Sequence, residues 1–282
     1  MNITDFVRQH APISVRRAVF KIRNPKLLQR VSTFNRLLER INAGDVLIHS
    51  DNLEGEFWLD VRSHLLRRIA VSGVYEPEVA NVLVENAGGD FIDVGANVGF
   101  FSIHLAKQPG SQKVLAIEPN PRAFEYLQRN LEQNNVADKI EIVRCAAASK
   151  SEELELVSFE GREEYSSISS NIHPSVQGLE PTRYKVQADP LDSILEGRGL
   201  TPGLIKIDAE GAELEVLKGM EATMQTHRPT LLCEVGGSTF GTDVSEVEAQ
   251  LKKMNYKILS LNGEPTVVDP KFGGEIIARP IS

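Results

Sequence analysis

Two short segments of this chain carry residue types at spacings that could do chemistry. The first is Phe91-Ile92-Asp93-Val94-Gly95-Ala96-Asn97-Val98-Gly99, where an acid stands near the end of an apolar run and glycines flank a tight turn into a helical stretch. Gly95 and Gly99 allow backbone conformations and close approaches that a Cβ would hinder. A dinucleotide would be met by G-x-G-x-x-G, with the helix N-terminus open to a pyrophosphate. The spacing here is D-x-G-x-N-x-G. Asn97 stands where a dinucleotide needs its closest backbone approach, and the Asp93 charge would oppose a pyrophosphate yet suits a sulfonium and an ammonium group. Asp93, Gly95, Ala96, Asn97 and Gly99 are therefore expected to hold S-adenosylmethionine rather than NAD. Glu118 ends the next apolar run, nineteen positions after Gly99, where a carboxylate can accept both ribose hydroxyls of an adenosyl ligand. Asn120 is expected to help shape the adenosine pocket. Cys145 and Ala146 are small enough to flank a flat base, and equally suited to core packing.

The second segment is Lys206-Ile207-Asp208-Ala209-Glu210-Gly211-Ala212-Glu213, at the end of a later apolar run. In open α/β sheets ligands bind outside the carboxyl ends of the strands. Lys206 and Asp208 share a strand face through the two-residue period, so they can pair as ions. Glu210 and Glu213 are expected to open the next helix, where the macrodipole favours negative charge whatever else they do. Three carboxylates this close could hold Mg²⁺, but no aspartate pair frames the site and no metal is expected. Methyl transfer is an in-line displacement whose catalysis is largely positioning, and a poorly nucleophilic hydroxyl benefits from a base. Asp208, Glu210 and His173 are the candidates for that base. Tyr75 and Tyr165 are candidates to face the acceptor.

These residues need a sheet to position them. From residue 90 onward strands and helices alternate: strands over 91–95, 113–118, 140–146, 204–208 and 231–235, and helices to about Lys107, over 121–134, 212–224 and 244–254. Alternating βα units imply a parallel sheet covered on both faces, an α/β fold. Residues 256–261 and 275–279 are expected to close it as an antiparallel pair. An insert at about 151–190 breaks the alternation, with extra strands over 154–159 and 183–187 around a Ser/Asn/Pro-rich stretch; such inserts are often lids or binding loops. Upstream, Val46 to Ser50 and Glu56 to Val61 form a hairpin, and a helix runs from Glu76-Pro77 to Asn86. Residues 24–44 pattern as one helix, with Pro25 at its start, Gly44 at its end and an apolar stripe from Leu27 to Ile41. The chain therefore divides into a helical and hairpin cap over 1–72 and a ligand-binding domain over 73–282.

Composition narrows the function classes. Of 282 residues 41% are hydrophobic and 25% charged, ordinary for a soluble globular protein. The net charge of −8 hides nine Lys/Arg against two Asp/Glu in residues 1–43, a balance of +7 that leaves −15 on the rest. An acidic body argues against nucleic acid as partner. The basic head invites an anionic membrane surface or another subunit, hence a homo-oligomer. The two cysteines have neither a CxxC partner nor accompanying histidines, so reduced, buried thiols in a cytoplasmic protein are expected. No signal peptide is visible in the first residues.

The ordered segments FIDVGANVGFFS, AIEPNP, PLDSIL and LIKIDAEGAELEVLKG resemble those of the FkbM-type methyltransferases. Gly73-Val74-Tyr75-Glu76-Pro77-Glu78 resembles that family's lead-in, which adds Glu76 to the cofactor set. The resemblance covers about residues 73–236, with Ala209 where the family often has valine. It implies a class I methyltransferase sheet, mostly parallel with an antiparallel last strand. It also implies methyl transfer from S-adenosylmethionine to an oxygen of a small molecule or glycan, with Asp208 and Glu210 facing the reacting end. Residues 1–60 and 160–182 lie outside it and are expected to hold the acceptor specificity. An NAD-linked oxidoreductase and a non-catalytic S-adenosylmethionine binder remain as alternatives.

Overall fold

A computed structural model describes residues 44–110, 113–168, 173–236, 242–271 and 273–281. The helix expected over 24–44 lies outside the described residues. The hairpin is present as β1 (Asp45–Ser50) and β2 (Gly55–Asp60). Helix α1 (His64–Ser72) follows: the Ser63 hydroxyl accepts the Leu65 N–H at its start, and Gly73 stops it at φ +76°. Sequence patterning overlooked this helix, although its cap and stop residues were in view. Helix α2 (Pro77–Glu85) begins after Glu76, with proline in the first turn as expected.

The alternating units are β3 (Asp90–Val94), α3 (Phe100–Lys107), β4 (Val114–Ile117), α4 (Pro121–Gln133) and β5 (Ile140–Val143). The strand expected to reach Ala146 ends at Val143. The chain there leaves the sheet edge, and β6 (Ala146–Ala147) joins β7 (Glu152–Ser158) and β8 (Thr182–Asp189) in a separate three-stranded sheet. That small sheet has its own apolar core of Ala146, Ala148, Leu156, Val186 and Ala188. After α5 (Leu191–Leu195) come β9 (Pro202–Ile207), α6 (Glu213–Lys218), α7 (Glu221–Thr226), β10 (Thr230–Val235), α8 (Val244–Lys253), β11 (Tyr256–Leu259) and β12 (Gly274–Pro280). The single helix expected over 212–224 is thus two. It breaks at Gly219, where the chain presses so close to Ala148 that a Cβ would lie 1.9 Å from its carbonyl oxygen.

The central sheet runs β11-β12-β10-β9-β3-β4-β5, with β12 antiparallel to both neighbours and the rest parallel. This is the class I methyltransferase arrangement. Strand side chains alternate faces. Phe91, Ala116, Leu204 and Leu232 pack on one side with α3, α4, α1 and the β1–β2 hairpin, where the Phe57 and Phe100 rings meet edge-on at 4.6 Å. Ile92, Leu115, Ile205 and Leu231 pack on the other with α6, α7 and α8. The hairpin and α1 therefore share one core with the sheet. Among the described residues, no helix is long and apolar enough to cross a membrane.

Candidate active site

Strand register assembles the site. Asp93 and Lys206 are partners across β3 and β9, Lys206 faces Leu232 on β10, and Asp93 faces Ala116 on β4. Two residues farther along the same face stand Gly95, Asp208, Glu234 and Glu118, and Glu275 on β12 pairs with Glu234. The C-terminal edge of the sheet thus presents a row, Glu118–Gly95–Asp208–Glu234–Glu275, with a glycine in its gap. A cleft of about 710 Å³ opens over this row, walled by α1, the insert and the start of β12. It lies between β3 and β9, where the strand order reverses, which is the place an open α/β sheet offers a ligand.

One half of the cleft is formed by the glycine turn. Gly95 sits at φ +79°, and a Cβ there would lie 1.8 Å from the Asp208 carbonyl oxygen, so only glycine lets these two strand ends meet. Asn97 adopts φ +51° and donates its N–H to Glu118 Oε2 at 2.8 Å, while Glu118 Oε1 accepts the Asn120 N–H at 2.8 Å. Burial nevertheless pushes the Glu118 carboxyl up to about 7. Asp93 lies beneath the turn; its Oδ2 accepts the Ser102 hydroxyl at 2.6 Å. Its Oδ1, like Oδ1 of Asn97, is buried without a partner among the described residues. Ala96, Cys145 and Ala146 line the cleft. Burial pushes the Cys145 thiol up to about 12, and Cys233 is likewise a buried free thiol. Gly99 and Asn120 stand behind the lining. Gly99 starts α3 at φ +90°, tight against Leu127. The Asn120 side chain caps α4 and donates to Ser158 Oγ at 2.8 Å and Ser166 Oγ at 2.7 Å, so it moors the insert.

The other half is rich in carboxyls. Lys206, 5% exposed, donates to Asp208 Oδ2 at 2.9 Å and lies 5.3 Å from the centre of the Phe101 ring. Glu210 does not open a helix as expected: it sits at φ +47° in the loop before α6. Only Glu213 starts that helix, its carboxylate accepting the Gly211 N–H at 2.8 Å and the Thr242 hydroxyl at 3.1 Å. Burial, then the Asp208 and Glu213 charges, hold the Glu210 carboxyl well above the usual range. Glu234 is raised by the Asp208 charge and then by burial, and Glu76 by burial despite its 2.6 Å pairing with Arg68. His173 reaches the cleft wall, its ring stacked on Tyr165 at 4.2 Å, and burial lowers its pKa. The Tyr165 hydroxyl meets His64 Nδ1 at 2.8 Å, and Glu164 accepts the His64 N–H at 2.6 Å.

Sequence reasoning missed Glu234, Glu275, His64 and Glu164. Glu234 had a usable signal, an acid closing an apolar run, the same one that marks Glu118. His64 and Glu164 lie a hundred positions apart in the chain and had none. Among the described residues, no three His, Cys, Asp or Glu side chains are grouped to hold a metal ion.

The chain is similar to known methyltransferases. The Methyltransferase FkbM domain family matches residues 93–258, more than half of the chain. Methyltransferase 1 of Beauveria bassiana is 27% identical over 147 residues, 46% of this chain and 57% of that protein, so the chain spans less than two thirds of this relative's length. Hexuronic acid methyltransferase AglP of Haloferax volcanii is 29% identical over 68% of this chain and 75% of its own. A crystal structure of a methyltransferase FkbM from Methylobacillus flagellatus KT is similar over 93% of this chain and 60% of that one, with 17% identity and a TM-score of 0.47. The chain belongs to the Methyltransferase FkbM domain family.

Proposed function

We propose that this chain is an S-adenosylmethionine-dependent O-methyltransferase acting on a hydroxyl of a small molecule or glycan. The observation that carries the reading is the strand-end row, in which a glycine that cannot carry a Cβ lies between Glu118 and the Lys206–Asp208 pair. The buried, unpartnered oxygens of Asp93 and Asn97 fit the cofactor, because acceptors left open at a glycine turn suit a ligand that brings donors and positive charge. Glu118 would accept the ribose hydroxyls, with Ala96, Cys145 and Ala146 around the base. When bound, S-adenosylmethionine supplies a methyl group already activated on a sulfonium. The chain's own task is then to orient the acceptor and take its proton, a role assigned to Asp208. The Glu210 and Glu234 carboxyls, both pushed up by burial and by the Asp208 charge, would donate hydrogen bonds to an acceptor when protonated rather than serve as base. A sugar hydroxyl accords with the hexuronic acid methyltransferase among the relatives.

Two measurements test this. Calorimetry should detect S-adenosylmethionine and S-adenosylhomocysteine but not NAD. Glu118→Ala should weaken binding roughly ten- to a hundredfold, the usual cost of a lost charged hydrogen bond. Thermal unfolding read alongside controls for the loosened Asn97 turn. In labelled-methyl transfer to a panel of sugars and uronic acids, Asp208→Asn should lower turnover by ~10²–10⁴ with little change in cofactor affinity. A loss within about threefold would remove Asp208 as the base.

A further inference from the structure

Among the described residues lining the cleft, Arg68 and Lys206 carry the permanent positive charges, and Arg68 is turned to Glu76. Lys206 differs in being buried at the strand ends, its ammonium 5.3 Å from the centre of the Phe101 ring. Carboxyls act on it from several neighbouring elements: Asp93 in register on β3, Asp208 beside it, Glu210 on the following loop, Glu234 on β10 and Glu275 on β12. Glu76 faces it from the start of α2, beside the Tyr75 phenol; Glu118 and Glu213 complete the ring around Asp208. Burial works against the charged lysine, and the Asp208 and Asp93 charges more than offset it, so the ammonium is held above the usual lysine range. An apolar side chain flanked by Leu204 and Leu232 would pack at this position at no desolvation cost, so a buried ion pair here is poorly explained by stability.

We propose that Lys206 is the positioning residue of the reacting end: its buried ammonium aims the Asp208 carboxylate into the cleft and balances the charge that the strand-end row presents to a bound cation. The inference rests on S-adenosylmethionine binding in this cleft. Without the ammonium, carboxyls of the row repel one another and keep their protons to higher pH. In Lys206→Met the acid limb of S-adenosylmethionine binding should therefore move up by about one pH unit, a tenfold weaker affinity at pH ~6 with equal or tighter binding at pH ~9. The shift should be smaller for S-adenosylhomocysteine, which lacks the sulfonium. Without ligand, the thermal midpoint of Lys206→Met should fall more at pH ~8 than at pH ~6, because protons held by the fold oppose folding once the solvent removes them. Adding Asp208→Asn should remove most of that difference. A folded Lys206→Met whose binding and unfolding keep the native pH dependence overturns the proposal. If the variant fails to fold at pH ~8, folding at pH ~6 or on adding Asp208→Asn supports it, and failure under all three conditions overturns it, lost packing then being the cause. A native protein that binds neither ligand would instead defeat the cofactor reading, and the unfolding comparison would still decide the role of the ammonium.

Discussion

Gly95 is fixed where two strand ends meet. Its N–H donates to the Ile117 carbonyl at 3.0 Å and the Asp208 N–H donates to the Val94 carbonyl at 3.0 Å, so neither strand end can retreat. Gly95→Ala would place a Cβ 1.8 Å from the Asp208 oxygen at a left-handed φ. Such strain costs about 1–3 kcal/mol before any displacement is counted. The variant should melt earlier and bind S-adenosylmethionine at least about tenfold more weakly; native affinity in calorimetry would show that the close approach is not needed. The carboxyls at the same edge are one functional group in different environments. Glu210 and Glu234 are pushed up by burial and by the Asp208 charge, while Asp208 accepts a hydrogen bond from the lysine.

The insert is fastened to three separate elements. Asn120 at the start of α4 holds Ser158 and Ser166, Glu164 holds the start of α1, and the Ser167 hydroxyl donates to the Glu210 carbonyl at 2.9 Å. These ties make it a wall of the cleft rather than a stray loop. Glu164 gives that wall a pH dependence, since burial raises its carboxyl from 4.5 to about 7. A carboxyl raised on folding contributes stability that is complete below about 4.5 and lost as pH climbs through about 7. His64 beside it works the other way: burial and nearby arginines lower it from 6.5 to about 4, so its contribution is lost as pH falls. Glu164→Gln keeps an acceptor for the His64 N–H and removes the first effect alone. The native protein's advantage in melting temperature over this variant should therefore be larger at pH ~5 than at pH ~8. A difference of a few degrees is expected, at roughly 2–4 °C per kcal/mol for a domain of this size. A gap independent of pH would show that Glu164 holds no extra proton.

At the scale of the molecule, one apolar core runs from the hairpin through α1 to the sheet, with Phe57, Leu65, Ile69 and Phe100 in common. A chain beginning at residue 44 is therefore expected to fold and to retain S-adenosylmethionine affinity. If the apolar stripe patterned from Leu27 to Ile41 covers apolar surface of the body or of a second subunit, removing residues 1–43 should change the mass state or promote aggregation, read by light scattering. We propose that the basic head packs on the chain's own body, on a second subunit or on an anionic membrane surface. Flotation of the full chain, and not of the shortened one, with anionic liposomes would select the membrane.

The short-range motifs that line the cleft were legible in the sequence. The D-x-G-x-N-x-G turn, the Glu118 carboxylate and the IKIDAEG strand end depend on spacings within about twenty residues, and the alternating apolar runs that imply the sheet are equally local. Strand ends and helix splits were less legible, because the break at Gly219 is dictated by Ala148, seventy-one positions away. Only the tertiary structure set Glu234 and Glu275 beside Asp208, and His64 against Tyr165 across 101 positions. It also decided which carboxyls burial and neighbouring charge push up. Register and burial are long-range properties, and they turn a set of acids scattered through the chain into one row with a single buried lysine beneath it.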